Sequence, residues 1–313
     1  YIADIYYAAS AQTVAKAADV LGLEETRQEY QEIADRQWRA VKEEYFTSTG
    51  RCAVKTQTGL ILALKYHLSE NEELTKQMMK KLLRDNKNKL NTGFVGTPLL
   101  CNVLTDHGMT DAAYRLLLNE EYPGWLYEVK LGATTVWERW NSLDENGHVS
   151  STGMNSLNHY AYGTVCEAIY SRVMGLRCTE PGWKAAEIAP HLDGRLGHAE
   201  LAFRSPTGEW KVAWALREDG SASLTGAVPE GTTATLVVPD DPEKRVLTLK
   251  GGDFDITWRP AHDWLHPYSA DSLLMDLAKV PEAVQVLHEA FPELDAVLAD
   301  ERHEAQVMPL RDA

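Results

Sequence analysis

A change of period limits the possible folds more than any other feature of this sequence. From residue 2 to about residue 176 the apolar residues recur at intervals of three and four, the spacing of one face of an α-helix. After Gly175 they alternate, the spacing of a half-buried strand. A helical array is therefore followed by a β-rich segment in the same chain.

Val14, Ala17, Ala18 and Leu21 form a first helical stripe, with Gly22 placed to end it. Tyr30, Ile33, Ala34, Gln37, Val41 and Tyr45 form a second, and residues 58–68 spell a strongly apolar third helix. Asn71, followed by Glu72 and Glu73, supplies a capped, acidic first turn to a fourth, whose Leu74, Met78, Leu82 and Leu83 point inward. Two shorter helices are expected at about 98–107 and 111–120, and a long one at about 155–176. Short turns join them in pairs, and longer loops at 46–56, 90–97 and 122–152 separate the pairs, so the pattern is an α-hairpin array. Beyond it, runs such as "HAELAFRS", "GEWKVAWAL", "TATLVVP" and "DFDITW" are divided by turn signals at Pro206-Thr207-Gly208, Asp219-Gly220 and Gly251-Gly252, which predicts an antiparallel β-sandwich. The last segment returns to helical spacing through Leu273, Leu277, Val284, Leu287 and Leu294, with a frayed tail expected after Asp300. The expected division is a helical domain at 1–178, a sandwich at 179–260, and a helical appendage with its tail at 261–313.

Composition narrows the function. With 313 residues, 44% of them hydrophobic and 25% charged, the chain can bury a core in about two domains. Its formal net charge of −15 comes from 46 acidic and 31 basic residues, and nucleic acid is excluded as a partner because binding it needs a basic face. The one basic cluster, residues 76–89, reads as the solvated side of the fourth helix. No apolar run approaches the roughly 18 to 20 residues of a membrane span, and no secretory signal opens the chain. Cys52, Cys101, Cys166 and Cys178 are widely spaced, which suits free, buried thiols in a reducing compartment and a cytoplasmic location. Clustered ligand residues are absent from the pattern, so no metal or cofactor is implied. The chain begins at Tyr1 already in helical register, which reads as a cut through a larger protein.

Ligand-handling groups in a hairpin array are expected in the loops between hairpins. The loop at 122–152 contains "YPGWLYEVKLGATTVWERWNS", in which Trp125, Trp137 and Trp140 surround Glu138. Aromatic faces stack on the C–H faces of sugar rings and carboxylates take hydroxyls or protons, so the group has the makings of a carbohydrate subsite. Two plainer uses compete with it. The rings can simply pack the loop onto the helices, and Glu138 can pair with Arg139 or a lysine. A carboxylate flanked by bulky rings is also expected to be partly desolvated, which would make it a better proton acceptor.

Taken together and in order, "LNTGFVGTPLL" (residues 90–100), "NEEYPGWLYEVKLGATTVWERWNSL" (119–143) and "GMNSLNHYAYGTVCEAIY" (153–170) resemble the bacterial α-L-rhamnosidases of glycoside hydrolase family 78, and "VPEGTTATLVVP" (228–239) is similar to a strand pair of their C-terminal sandwich. The resemblance implies the C-terminal portion of an (α/α)6 barrel of the six-hairpin type, followed by an antiparallel β-sandwich and a short helical tail. It implies inverting hydrolysis of terminal α-L-rhamnose, with Glu138 as the general base and His159 as a sugar contact. Trp137 and Trp140 would wall the pocket, and Trp125, Asn155 and Asn158 are added as further contacts. The family's general acid lies N-terminal of the base in an acidic motif that these residues do not contain, so the chain alone is expected to be inactive. An incomplete barrel would expose apolar helix faces and favour pairing with a second copy. Two other readings stay open on the residues themselves: a different inverting (α/α)6 glycosidase, and a non-catalytic sugar-binding or scaffold protein lacking the acid.

Overall fold

The computed structural model describes residues 1–150, 153–265, 268–270, 272–299 and 306–313. The chain forms two compact units, Tyr1–Tyr162 and Gly163–Ala313.

The first unit is built from helical hairpins. α1 (Ile2–Val20) pairs with α2 (Glu24–Tyr45), α3 (Gln57–Lys65) with α4 (Glu72–Asp85), and α5 (Thr97–Asp106) with α6 (Thr110–Leu117). The starts of α3, α4 and α5 have local causes. The Thr56 side chain accepts the Gly59 amide at 3.0 Å, the Asn71 carboxamide accepts the Leu74 amide at 3.0 Å, and Pro98 stands in the first turn of α5. The second stripe lies where the pattern places it, with Ala34 and Val41 buried. The first does not. α1 buries Ile5, Ala8, Ala11, Ala15 and Ala18, whereas Leu21 is 71% exposed and Val14 is exposed too. A row of alanines lets two helices approach closely, and closeness to α2 outweighs the larger side chains offered by the neighbouring face. In α4 the buried row is Thr75, Met79 and Leu83, with Leu74, Met78 and Leu82 half-buried at its edge. Ile5, Val41, Leu62 and Leu68 join these hairpins in one apolar cluster.

The helix expected at 155–176 is shorter and broken. Residues 155–159 are irregular, and helical structure runs through α8 (Tyr160–Gly163), α9 (Val165–Ala168) and a π-helical turn at Ile169–Val173. The cause is local: Nδ1 of His159 accepts the amide of Ala161 at 3.2 Å and starts the helix there.

In the second unit six strands form one curled sheet: β1 (Leu176–Cys178), β2 (Ala185–Ile188), β3 (His198–Ser205), β4 (Gly208–Leu216), β5 (Ala222–Val237) and β6 (Val246–Trp258). β5 and β6 run together along their length, with a bulge between Val228 and Thr233. On the other edge of β5 its first half pairs with β4 and its second half with β2, so two short layers share one long hairpin. All ladders are antiparallel except β2 with β5, which is parallel and departs from the fully antiparallel expectation. Alternation selects the core: Trp210, Val212 and Trp214 of β4, Leu224, Ala234 and Leu236 of β5 and Ile188 of β2 are all buried. The Trp214 indole donates to the Val173 carbonyl at 3.0 Å, which ties the π turn to the sheet.

The C-terminal helices, α10 (Leu274–Leu277), α11 (Pro281–Ala290) and α12 (Asp295–Leu298), enclose a small core of Leu274, Leu277, Leu287 and Leu294. Fraying was expected after Asp300. Residues 300–305 lie outside the described residues, but the end of the chain is held: Leu274 donates to the Met308 carbonyl at 3.1 Å and Leu310 to that of Ser272 at 2.9 Å. All four cysteines are free thiols, but only Cys52 and Cys101 are buried; Cys166 and Cys178 are exposed, contrary to expectation. Among the described residues no helix is long and apolar enough to cross a membrane.

Candidate functional site

Three segments of the first unit meet: the loop before α5, the stretch from α7 (Trp125–Lys130) to Trp140, and residues 155–162. Each is fixed from its base. The buried Gln57 side chain donates to the Lys89 carbonyl at 2.9 Å and accepts the Asn91 amide at 2.8 Å, which ties the first loop to the start of α3. Gly96 is required there, because a Cβ at that position would stand 2.3 Å from Oγ1 of Thr58. The loop thereby presents the Thr92 carbonyl to the Trp140 indole, which donates to it at 3.1 Å, and holds the exposed ring of Phe94 5.1 Å from that of His159 in a stack.

Trp125, Trp137 and Trp140 are all buried. Trp140 stacks on Tyr162 with ring centroids 4.0 Å apart and meets Trp125 edge to face at 5.2 Å, while the Trp125 indole donates to the Tyr162 carbonyl at 3.0 Å. The plain packing role thus holds for Trp125 and Trp140. Trp137 differs: among the described residues its indole N–H has no hydrogen-bond partner.

Glu138 lies between Trp137 and Trp140 in the sequence and is half-buried. Its main chain is clamped, since its amide donates to the Ser156 carbonyl at 2.9 Å and the His159 amide donates to the Val136 carbonyl at 2.8 Å. These two bonds bring Glu138 and His159 onto facing segments of backbone. Among the described residues Glu138 makes no ion pair with Arg139 or with any lysine. Its carboxylate is therefore available for a ligand or a proton.

His159 is also half-buried, with its ring stacked 5.2 Å from that of Tyr160. Because Nδ1 accepts the Ala161 amide, the ring proton belongs on Nε2, which makes that nitrogen a donor. Asn155 is engaged within the loop: its Oδ1 accepts the Ser142 hydroxyl at 2.6 Å and its Nδ2 donates to the Ser142 carbonyl at 2.9 Å. Asn158 is exposed, and its carboxamide has no partner among the described residues. The structure thus brings together Glu138, His159 and the three tryptophans, with Asn155 as a brace and Asn158 at the rim.

Sequence reasoning passed over three residues here. Tyr162 supplies the ring under Trp140, and Phe94 the ring beside His159; both belong to the motifs that carried the resemblance. Glu128 is the third. It is 2% exposed, its Oε2 accepts the Trp137 amide at 3.2 Å, and burial pushes its carboxyl up to about 7 against that one opposing hydrogen bond.

Residues 1–173 match the bacterial alpha-L-rhamnosidase 6 hairpin glycosidase domain, and residues 175–253 the bacterial alpha-L-rhamnosidase C-terminal domain. An alpha-L-rhamnosidase of Formosa agariphila is 38% identical over 243 residues, 77% of this chain and 26% of that protein. Among solved structures, the alpha-L-rhamnosidase of Streptomyces avermitilis complexed with L-rhamnose superposes with a TM-score of 0.77 at 33% identity, covering 82% of this chain and 26% of the other. The native enzyme of Aspergillus terreus gives the same TM-score at 32% identity, covering 82% and 30%. The chain thus spans between a quarter and a third of the length of these relatives.

Proposed function

Because the chain belongs to the bacterial α-L-rhamnosidases, with a six-hairpin glycosidase segment joined to the family's C-terminal domain, we propose that the protein hydrolyses terminal α-L-rhamnose from rhamnosides by an inverting mechanism, with Glu138 as general base. The observation that carries this is the half-buried Glu138 carboxylate, set between buried tryptophans and free of any cation among the described residues. A glutamate neutralised by an arginine would be a poor base; one without a partner can take a proton from water.

The neighbours fit the task. The Trp137 ring is buried, and what it leaves to a ligand is its uncommitted N–H, which is not sealed from the surface and can meet a sugar hydroxyl. His159 Nε2–H is a second donor on the facing segment. Trp140 and Trp125 keep the wall rigid, Asn155 fixes the loop that follows the base, and Asn158 offers an exposed carboxamide one residue before His159. An inverting pair of carboxyls must stand about 6.5 to 9.5 Å apart to admit the attacking water. In this proposal the acid that protonates the leaving oxygen is not among residues 1–313, and these residues alone do not turn over.

The test uses the complete protein as its gene encodes it, with p-nitrophenyl α-L-rhamnoside and the corresponding glucoside. Glu138→Gln is expected to lower kcat by about 10³-fold while the folded content is unchanged, and proton NMR of the first product formed should show the inverted anomer. Cleavage of the glucoside but not the rhamnoside, or undiminished turnover in the variant, overturns the assignment.

A further inference from the structure

Glu128 occupies an expensive position for a carboxyl. It sits in α7, and its own main-chain carbonyl accepts the amides of Leu131 at 3.1 Å and Ala133 at 3.0 Å, closing the turn that opens the 133–140 loop. Its side chain reaches the other end of that loop, where Oε2 takes the Trp137 amide. Both ends of the segment leading to Glu138 are thus held by one residue. The second carboxyl oxygen, Oε1, is buried and has no hydrogen-bond partner, and no cation pairs with the group among the described residues. A buried, unpaired acid destabilises a fold, and a glutamine could accept the same amide without that cost. An acid kept where an amide would suffice points to a role beyond packing.

We infer that Glu128 is a positioning residue for Glu138: its buried carboxyl grips the amide of Trp137, one residue before the base, and so fixes the peptide that carries the base. This rests on the reading of Glu138 as the general base. Glu128 itself does not meet substrate, because its Oε2 is taken by the Trp137 amide and its Oε1 is sealed from the surface. Its protonation governs the grip. As a neutral acid it accepts the Trp137 amide through an ordinary carbonyl oxygen; as an anion it makes a charge-assisted bond, shorter and about twice as strong. Its midpoint of about 7 places that change inside the working range of an enzyme. The titratable side chain that faces it is Tyr162 of α8, whose own phenol is pushed up, first by burial and then by the charge of Glu128. Among the described residues no basic group adds to the opposing effect of the Trp137 bond on Glu128.

The experiment measures kcat and KM of the complete protein for p-nitrophenyl α-L-rhamnoside from pH 5 to 9 in the wild type, Glu128→Leu and Glu128→Gln, with amide hydrogen exchange of residues 133–142 recorded on the same samples. Glu128→Leu removes the acceptor, so kcat should fall by about tenfold or more with KM nearly unchanged, and the amides of this segment should exchange faster. Glu128→Gln keeps the acceptor, so most of kcat should return while the step near neutral pH disappears. Wild-type kcat and wild-type exchange in Glu128→Leu would overturn the inference, as would a pH step that survives in Glu128→Gln. Should Glu128→Leu not fold, the glutamine variant decides through its pH profile. Should the wild type not cleave the rhamnoside at all, the functional reading fails by itself, and exchange of the Trp137 amide decides the positioning role.

Discussion

Trp125, Trp137 and Trp140 in the helical unit and Trp210, Trp214 and Trp258 in the sheet unit are all buried, and five of the six indoles donate a hydrogen bond within the protein. The sheet set follows from alternation, with Trp210 and Trp214 four residues apart on β4, an even spacing that turns both to the core. The carboxylate next to Trp210 in the sequence, Glu209, pairs with Lys211 at 3.3 Å, and the role of these rings is to fill the curled sheet. In the helical set the same ring type is interleaved with Glu128 and Glu138, and one ring, Trp137, keeps its N–H uncommitted. Burial of tryptophan therefore carries no functional information here. What separates the two regions is a pair of carboxyls without cationic partners beside one set and not the other.

The comparison breaks most readily at Trp214. Replacing it by alanine removes a fully packed ring and the hydrogen bond to Val173, and should cost about 3 to 5 kcal/mol of stability in urea unfolding. If it also changed kcat in protein that remained folded, the sheet could no longer be assigned a purely structural part.

Next in size is the effect of pH on stability through Glu128. Its folded-state value of about 7 stands above the ordinary 4.5 because burial favours the neutral form. Below about pH 4.5 both folded and unfolded chains carry the proton and no penalty arises. Between there and pH 7 the unfolded chain has released its proton while the folded one retains it, so stability falls as pH rises, by a total of about 3 kcal/mol. Unfolding free energies from urea titrations at pH 5 and pH 8 should differ in the wild type by most of that amount more than in Glu128→Gln. Equal shifts in the two proteins would mean that Glu128 ionises freely, and the contrast between the two regions would rest on Glu138 alone.

Why Glu128 escaped a reading of the sequence is instructive. In "WLYEVK" it looks like a polar residue on a short helix, and only the return of the 133–140 loop over it creates the burial. Local signals served well where the cause was local: the Asn71 cap, the stripe of α2, the alternation in β4 and the wording around Glu138. They failed where a distant partner decides. The alanine row of α1 is chosen by closeness to α2, and the parallel ladder of β2 with β5 depends on a strand more than forty residues further along. The break before α8 was in principle readable, since a histidine can cap a helix, but helical spacing continued through it and hid the signal.

The smallest effect separates the tryptophans of the helical set from one another. Trp125→Phe and Trp137→Phe delete the same atoms from buried rings, so the packing losses should be similar. Trp125→Phe in addition leaves the carbonyl of the buried Tyr162 without its donor, whereas Trp137→Phe breaks no indole hydrogen bond within the protein. The first variant should therefore be the less stable by about 1 kcal/mol in the urea series. Activity should run the other way: an indole N–H that serves no protein group is free to serve a sugar hydroxyl, so KM for the rhamnoside should rise more in Trp137→Phe than in Trp125→Phe. If the two variants matched in both stability and KM, the uncommitted N–H of Trp137 would have no ligand to meet, and Trp137 would join the tryptophans of the sheet as packing.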